Sequence, residues 1–260
     1  MKTACLAATA LVTAMLAMPA LAASAIGLTA DGRLVPFDTV TRKAAAPVAV
    51  KGIDGPLLGI DVRPADGKLY GVTAGGSIYT IDSSTGAATL ASRLGRPFEP
   101  GGRAVVDFNP QADRLRLIGQ NGVSFRVNVQ TGEVAVDGTL RYADNDVNKA
   151  KKPTVTAGAY TNAMPAARGT ELFDIDTGAG VLALQSPPND GVLQTRGKLG
   201  AKLGAMVAFD IMLDRDMDNV GYIVSGRSLY SIDLDKGAVK KLGRVERLPS
   251  IIDLALLPER

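Results

Sequence analysis

The chain has no histidine and no tryptophan, and only one cysteine among 260 residues. Without histidine, no Ser-His-Asp triad can be assembled. His-ligated zinc, haem and copper sites are excluded with it. Without tryptophan, stacking against sugar rings has little support. Glutamate is scarce too. Beyond residue 22 it occurs only as Glu99, Glu133, Glu171, Glu246 and Glu259, all in predicted turns, strand ends or the tail. General acid–base work near neutral pH would fall to a strongly shifted carboxyl or lysine. Carboxylate pairs for glycoside hydrolysis stay a question of geometry. Charge of one sign is also missing: 29 Lys and Arg face 26 Asp and Glu, a net of +3. That balance gives no electrostatic case for nucleic acid or an anionic membrane.

The first residues read as an address. Met1-Lys2 is followed by an uncharged apolar run over residues 4–18, then Pro19 and the small residues of Ala20-Leu21-Ala22. This is the pattern of a secretory signal peptide, residues 1–22, with cleavage expected after Ala22 or a residue or two later. The run is too short for a membrane span. Cys5 precedes most of it, so it is not a lipoprotein cysteine, and cleavage removes it. The mature chain then has no thiol, no disulfide and no thiolate metal ligand. Its expected form is one exported domain, residues 23–260, in the periplasm or outside the cell, monomeric and without a membrane span.

The remainder repeats. Residues 57–95 and 103–140 align almost without gaps, each with four short apolar or alternating runs between Gly, Asp, Asn and Pro. Such runs are strands, and the punctuation is hairpin chemistry. Two more units occupy residues 154–200 and 205–245. The glycine closing the third hairpin recurs at Gly86, Gly132, Gly191 and Gly237. The extra length lies in a linker around 141–153. The mature N-terminus supplies only the second, third and fourth strands of a unit: AIGLTADG, RLVPFDTV and APVAVKG. The missing first strand appears at residues 250–258, in SIIDLALLP. A unit split between the two ends closes a ring and removes the exposed edge. The expected fold is all-β, a β-propeller of about five four-stranded blades closed by the C-terminal strand. An open two-sheet sandwich would leave the split unit unexplained.

The phrases VDFNPQADRLRL and LFDIDTGAGVLALQSPPNDGVLQTRGKLG, with GIDVRPADGKLYGVT and AYTN, resemble the bacterial domain-of-unknown-function family 4394. The match spans roughly residues 26–257. The resemblance implies export and this fold, and implies no catalytic residues.

Two groups of oxygen ligands stand out. Four of the five proposed inner strands carry an aspartate in an apolar run: Asp61, Asp107, Asp210 and Asp253. The fourth blade has Tyr160-Thr161-Asn162 instead. Carboxylates converging on a central channel repel one another unless cations or donors lie between them. Oxygen-only ligation suits Ca²⁺ or Mg²⁺. The plainer reading has each Asp bonding backbone N–H groups, or Arg63, Arg114 or Arg116, within its own blade. The second group is the linker run Asp144, Asn145, Asp146 and Asn148. Its alternating oxygens fit a calcium or ligand-contact loop, although Lys149, Lys151 and Lys152 follow directly. Asp214-Arg215-Asp216-Met217-Asp218-Asn219 imitates an EF-hand start but lacks its glycine and glutamate, and reads as a polar hairpin tip. Tyr70, Tyr79, Phe125, Phe173, Tyr222 and Tyr230 recur at matching strand positions and read as packing between blades.

The reading favoured by this inventory is a non-catalytic exported propeller. It would bind a protein or small molecule through inter-blade loops at one mouth, with 52–57, 95–103, 141–153 and 197–205 as candidates. The alternative is a Ca- or Mg-dependent hydrolase using Asp61, Asp107 and Asp210 to hold an ion that activates water.

Overall fold

A computed structural model describes residues 24–258, apart from Ala205. The expected signal peptide and Cys5 lie outside these residues. Blade 1 holds β1 (Ser24–Leu28), β2 (Arg33–Asp38) and β3 (Val48–Ala49). Blade 2 holds β4 (Leu57–Val62), β5 (Leu69–Thr73), β6 (Ser77–Ile81) and β7 (Ala88–Arg93). Blade 3 holds β8 (Ala104–Asn109), β9 (Arg114–Gly119), β10 (Ser124–Val127) and β11 (Val134–Val136). Blade 4 holds β12 (Arg141–Tyr142), β13 (Val155–Tyr160), β14 (Leu172–Asp176), β15 (Val181–Gln185) and β16 (Val192–Lys198). Blade 5 holds β17 (Val207–Leu213), β18 (Asn219–Ser225), β19 (Ser228–Ile232) and β20 (Val239–Arg244), and β21 (Asp253–Leu256) completes blade 1.

The five sheets form a five-bladed β-propeller. In blade 1 the strand order is β21-β1-β2-β3, with Ala25 paired to Leu256 and Leu28 to Asp253. The innermost strands touch in a closed circuit, β4 to β8 to β13 to β17 to β21 and back to β4. Their sequences are apolar at consecutive positions because both faces of each blade are covered. All six residues of β13 are buried, while the outermost β7 and β20 contain no buried residue. Hydrophobicity therefore falls from the axis outward.

The core lies between blades. Its five apolar clusters correspond to the five blade–blade interfaces. Tyr70, Tyr79, Phe125 and Phe173 are buried there as expected, and the half-buried Tyr222 and Tyr230 pack against the same clusters. Tyr70 meets Phe108 edge-on across the interface of blades 2 and 3, with ring centroids 5.3 Å apart. The linker after blade 3 does more than connect. Its residues 141–142 form β12, which pairs in parallel with β16 and gives blade 4 a fifth strand.

The third-hairpin turns repeat in detail. Asp82, Asn128 and Asp233 each accept backbone N–H groups two or three residues on. This is the Asx-turn geometry that such residues favour. The closing Gly132 has φ +77°, and a Cβ there would lie 1.8 Å from the Arg93 carbonyl of blade 2. The turn therefore needs glycine twice, for its backbone angle and for its docking on the preceding blade. In blade 1 the same position is Arg42, held at φ +54°.

Candidate functional site

An innermost strand has one edge facing the axis, with no further strand to bond. At one level of the channel this leaves five backbone N–H groups, those of Val62, Phe108, Tyr160, Ile211 and Leu256. Three carboxylates take all five. Asp61 accepts from Val62 through Oδ1 at 2.6 Å and from Phe108 through Oδ2 at 2.7 Å. Asp210 accepts from Ile211 through Oδ1 and from Leu256 through Oδ2, both at 2.6 Å. Asp107 accepts from Tyr160 through Oδ1 at 2.9 Å. Of the six oxygens, only Asp107 Oδ2 has no hydrogen bond among the described residues.

This arrangement departs from the sequence reading in two ways. First, the carboxylates reach into the next blade rather than staying within their own. Asp61 of blade 2 serves blade 3, Asp107 of blade 3 serves blade 4, and Asp210 of blade 5 serves blade 1. The arginines offered as partners turn elsewhere. Arg63 binds Asp66 and Asp113, Arg114 binds the carbonyls of Ala112 and Asp113, and Arg116 binds Asp137. Second, the four aspartates do not share a level. Asp253 accepts from Ile60 N–H at 2.8 Å, two residues before Val62 along β4. Ala255 occupies the position matching Asp107 in blade 1, and Ala159 occupies it in blade 4. Where those alanines stand, Asp61 and Asp210 turn back to bond their own following amide.

One oxygen from each of Asp61, Asp107 and Asp210 lies within 4.8 Å of the other two. Burial, followed by the field of Asp210, pushes the Asp61 carboxyl well above the usual carboxylate range. Burial, then Asp61 and Asp210, does the same to Asp107. Burial raises Asp210 to about 7, against the lowering effect of its two amide donors. Asp253, one level away, is raised by burial to about 8.

The trio forms the floor of a cavity of about 630 Å³. The walls are largely apolar, with Phe108, Ile211, Met212 and Leu256 low down and Met164, Pro165 and Met217 at the rim. The rim comes from the β4–β5 hairpin, the β13–β14 connection, the β17–β18 hairpin and Pro258. No described residue of the inter-blade loops 52–57, 95–103, 141–153 and 197–205 lines it. At the other end of the channel Arg103 lies across the strands, donating to the carbonyls of Val207 and Ile252. The channel is thus obstructed by a guanidinium at one mouth and opens into the cavity at the other.

The second predicted ligand group does not come together. Asp144 and Asn145 are exposed. Asp146 accepts from Asn148 N–H and from both the N–H and hydroxyl of Thr195, and Asn148 donates to the Thr195 hydroxyl. These contacts fasten the linker to β16. The β17–β18 tip is the polar turn expected, with Asp214 accepting from the N–H groups of Asp216 and Asp218. The sequence reading missed that Asp214, Arg215 and Met217 of this tip border the cavity. The available signal was methionine in exposed turns: Met164 and Met217 are 37% and 58% exposed.

A buried polar network between blades 3 and 4 was also missed. The fully buried Arg116 donates to Asp137, Ser124, Asn189 and the Tyr160 hydroxyl. Near it lies Asp174, wholly buried with neither oxygen hydrogen-bonded, and burial pushes it up to about 8.

Among solved structures, the chain resembles a protein of unknown function from Bacteroides caccae. The identity is 9% and the TM-score 0.45, over 91% of this chain and 99% of that one. It also resembles YCF48 from Cyanidioschyzon merolae, with 11% identity and a TM-score of 0.43, over 86% and 71% of the two chains. No curated protein matches it in sequence. The model of a domain of unknown function, DUF4394, matches residues 33–255. That is nearly the whole of the five-bladed ring with its carboxylate-floored cavity, and the chain belongs to the DUF4394 family.

Proposed function

We propose that this protein is an exported, non-catalytic binding propeller that takes a small ligand into the cavity at one mouth. The observation that carries the reading is the cavity itself: about 630 Å³, apolar-walled, with three buried carboxylates at its floor. Concave, mainly apolar sites with a few convergent polar groups are the usual form of small-molecule sites. Beside the aspartates, the ionisable side chains of the described lining are Tyr160, whose hydroxyl accepts from Arg116, and Arg215 at the rim. Binding needs no nucleophile. The test is Nile red, a neutral apolar dye. Its fluorescence should rise with the folded protein and fall when Met217→Glu places a charge at the exposed rim of the cavity. No rise, or a rise indifferent to that substitution, would sink the reading.

A second reading is favoured by the spacing of the three carboxylate oxygens, which is within the reach of one Ca²⁺ or Mg²⁺. The ion would be held by Asp61, Asp107 and Asp210, with Asp253 one level too low to join the same shell. Such an ion would supply Lewis acidity for hydrolysis. Its test is thermal unfolding in EDTA and then in millimolar Ca²⁺ or Mg²⁺. A ligand at 100 times its Kd adds about 2.7 kcal/mol, a rise of roughly 5–10 °C for a domain this size.

A further inference from the structure

We infer that the cavity ligand is an organic cation: a primary ammonium seated among Asp61, Asp107 and Asp210, carrying an apolar body against the methionine-lined wall. The inference rests on the binding reading above and names the chemistry of its ligand. Three observations carry it. The first is the spare acceptor. Five of the six floor oxygens hold inner-edge amides. Asp107 Oδ2 holds none, although Asp107 is only 5% exposed and lines the cavity. Facing the cavity rather than sealed inside the fold, this oxygen is available to accept from a donor on that side. The second is number and spacing. Three oxygens no more than 4.8 Å apart surround a point at most about 2.8 Å from each, which is N⁺–H···O distance. An ammonium has three N–H donors, one for each carboxylate.

The third observation is what lies above the floor. Ca²⁺ needs six to eight oxygens and Mg²⁺ a near-ideal octahedron. The lower wall over the carboxylates is Phe108, Tyr160, Ile211, Met212 and Leu256, and its one side-chain oxygen, the Tyr160 hydroxyl, is engaged by Arg116. A bare ion would use the floor alone. An amine with a hydrocarbon body uses the floor and the wall together. Arg103 is fixed at the far mouth on Ile252 and Val207, and the one cation among the described lining residues, Arg215, stands on the β17–β18 tip at the rim beside Asp214.

The experiment is calorimetric titration of the purified protein with butylammonium, pentylammonium and hexylammonium chlorides, then 1-hexanol, CaCl₂ and MgCl₂. The ammonium series should bind, tightening about fourfold per added methylene. Hexanol should bind at least tenfold more weakly than hexylammonium. Asp107→Asn keeps an oxygen for the Tyr160 amide but removes the spare charged one. It should weaken hexylammonium at least tenfold while its Tm stays close to that of the parent. Met217→Gln, at the exposed rim, should flatten the methylene dependence. Hexanol binding as well as hexylammonium would overturn the cation and leave the binding pocket standing. Ca²⁺ or Mg²⁺ binding that hexylammonium fails to displace would overturn it in favour of a metal. If neither the amines nor Nile red binds, both readings fall together.

Discussion

At the scale of single residues, the level of Val62, Phe108, Tyr160, Ile211 and Leu256 shows how three side chains serve a five-fold problem. Asp61 and Asp210 each hold two of these amides and Asp107 holds one. Their contributions to stability should therefore differ. Asn has one carbonyl oxygen where Asp has two, so Asp61→Asn leaves one inner-edge amide without its acceptor, while Asp107→Asn leaves none. An unsatisfied buried donor costs about 1–3 kcal/mol. Urea denaturation should place Asp61→Asn below Asp107→Asn by that amount, and equal midpoints would contradict the count of amides. The four channel aspartates were legible as residues in the sequence. Their levels were not, because a two-residue offset keeps the alternation that makes Asp253 look equivalent. Only the partner amide, Ile60 rather than Val62, separates it. Asp174 was invisible for another reason: within Leu172-Phe173-Asp174-Ile175-Asp176 it reads as a turn-proximal acid, yet the interface with blade 3 buries it completely.

At the scale of elements, the sequence was most informative where local chemistry alone decides the conformation. The four apolar runs legible in blade 2, residues 57–62, 68–73, 77–82 and 87–94, end within a residue of the observed strands because Asp, Gly and Pro punctuate them. Turn glycines are a sharp case. Gly132 sits at φ +77° against the Arg93 carbonyl, whereas Arg42 already occupies the matching place in blade 1 at φ +54°. Gly132→Ala should cost at least about 1–3 kcal/mol from left-handed strain, with the backbone clash added. Arg42→Ala should be near neutral, since that turn already accommodates a side chain. Thermal melts of the two variants check the contrast. Strand β12 escaped the sequence reading because two residues carry no periodicity. Its parallel pairing with β16 depends on where blade 4 happens to pass. The cavity rim was hidden likewise: Met164, Met217 and Pro258 are far apart in sequence, and only the closed ring brings their turns to one mouth.

For the molecule as a whole, burying so many carboxyls fixes the direction of its pH response. Asp210 is raised to about 7, Asp174 and Asp253 to about 8, and Asp61 and Asp107 also stand well above the ordinary value of 3.8. Between pH 4 and these values the folded chain holds protons that the unfolded chain has released. The stabilisation from that uptake is complete below pH 4 and is lost progressively as pH rises from there to the raised values near 7 to 8, by up to about 1.4 kcal/mol per pH unit for each group. Asp31, Asp54 and Asp82 are lowered by their hydrogen bonds and act oppositely, losing their contribution as pH falls below about 4. Calorimetry should therefore find a higher Tm at pH 5 than at pH 8, with the difference reduced in Asp210→Asn and Asp253→Asn. A Tm that is flat or rising over that interval would mean these groups titrate normally in the fold.

The pairing of Ala25 with Leu256 also sets a timetable. During synthesis, blades 2 to 5 can each form from contiguous chain as soon as their strands exist. Blade 1 cannot, because β1 waits for β21 through more than two hundred intervening residues. Until then β1 lacks its inner strand and β4 lacks one of its two neighbours around the ring, Asp210 has no Leu256 amide to hold, and Asp253 has not reached Ile60. Loop-closure entropy makes such distant pairings slow. The slowest step in refolding should thus be a single ring-sealing event, in which the cavity floor acquires its final hydrogen bonds at the moment the circle shuts.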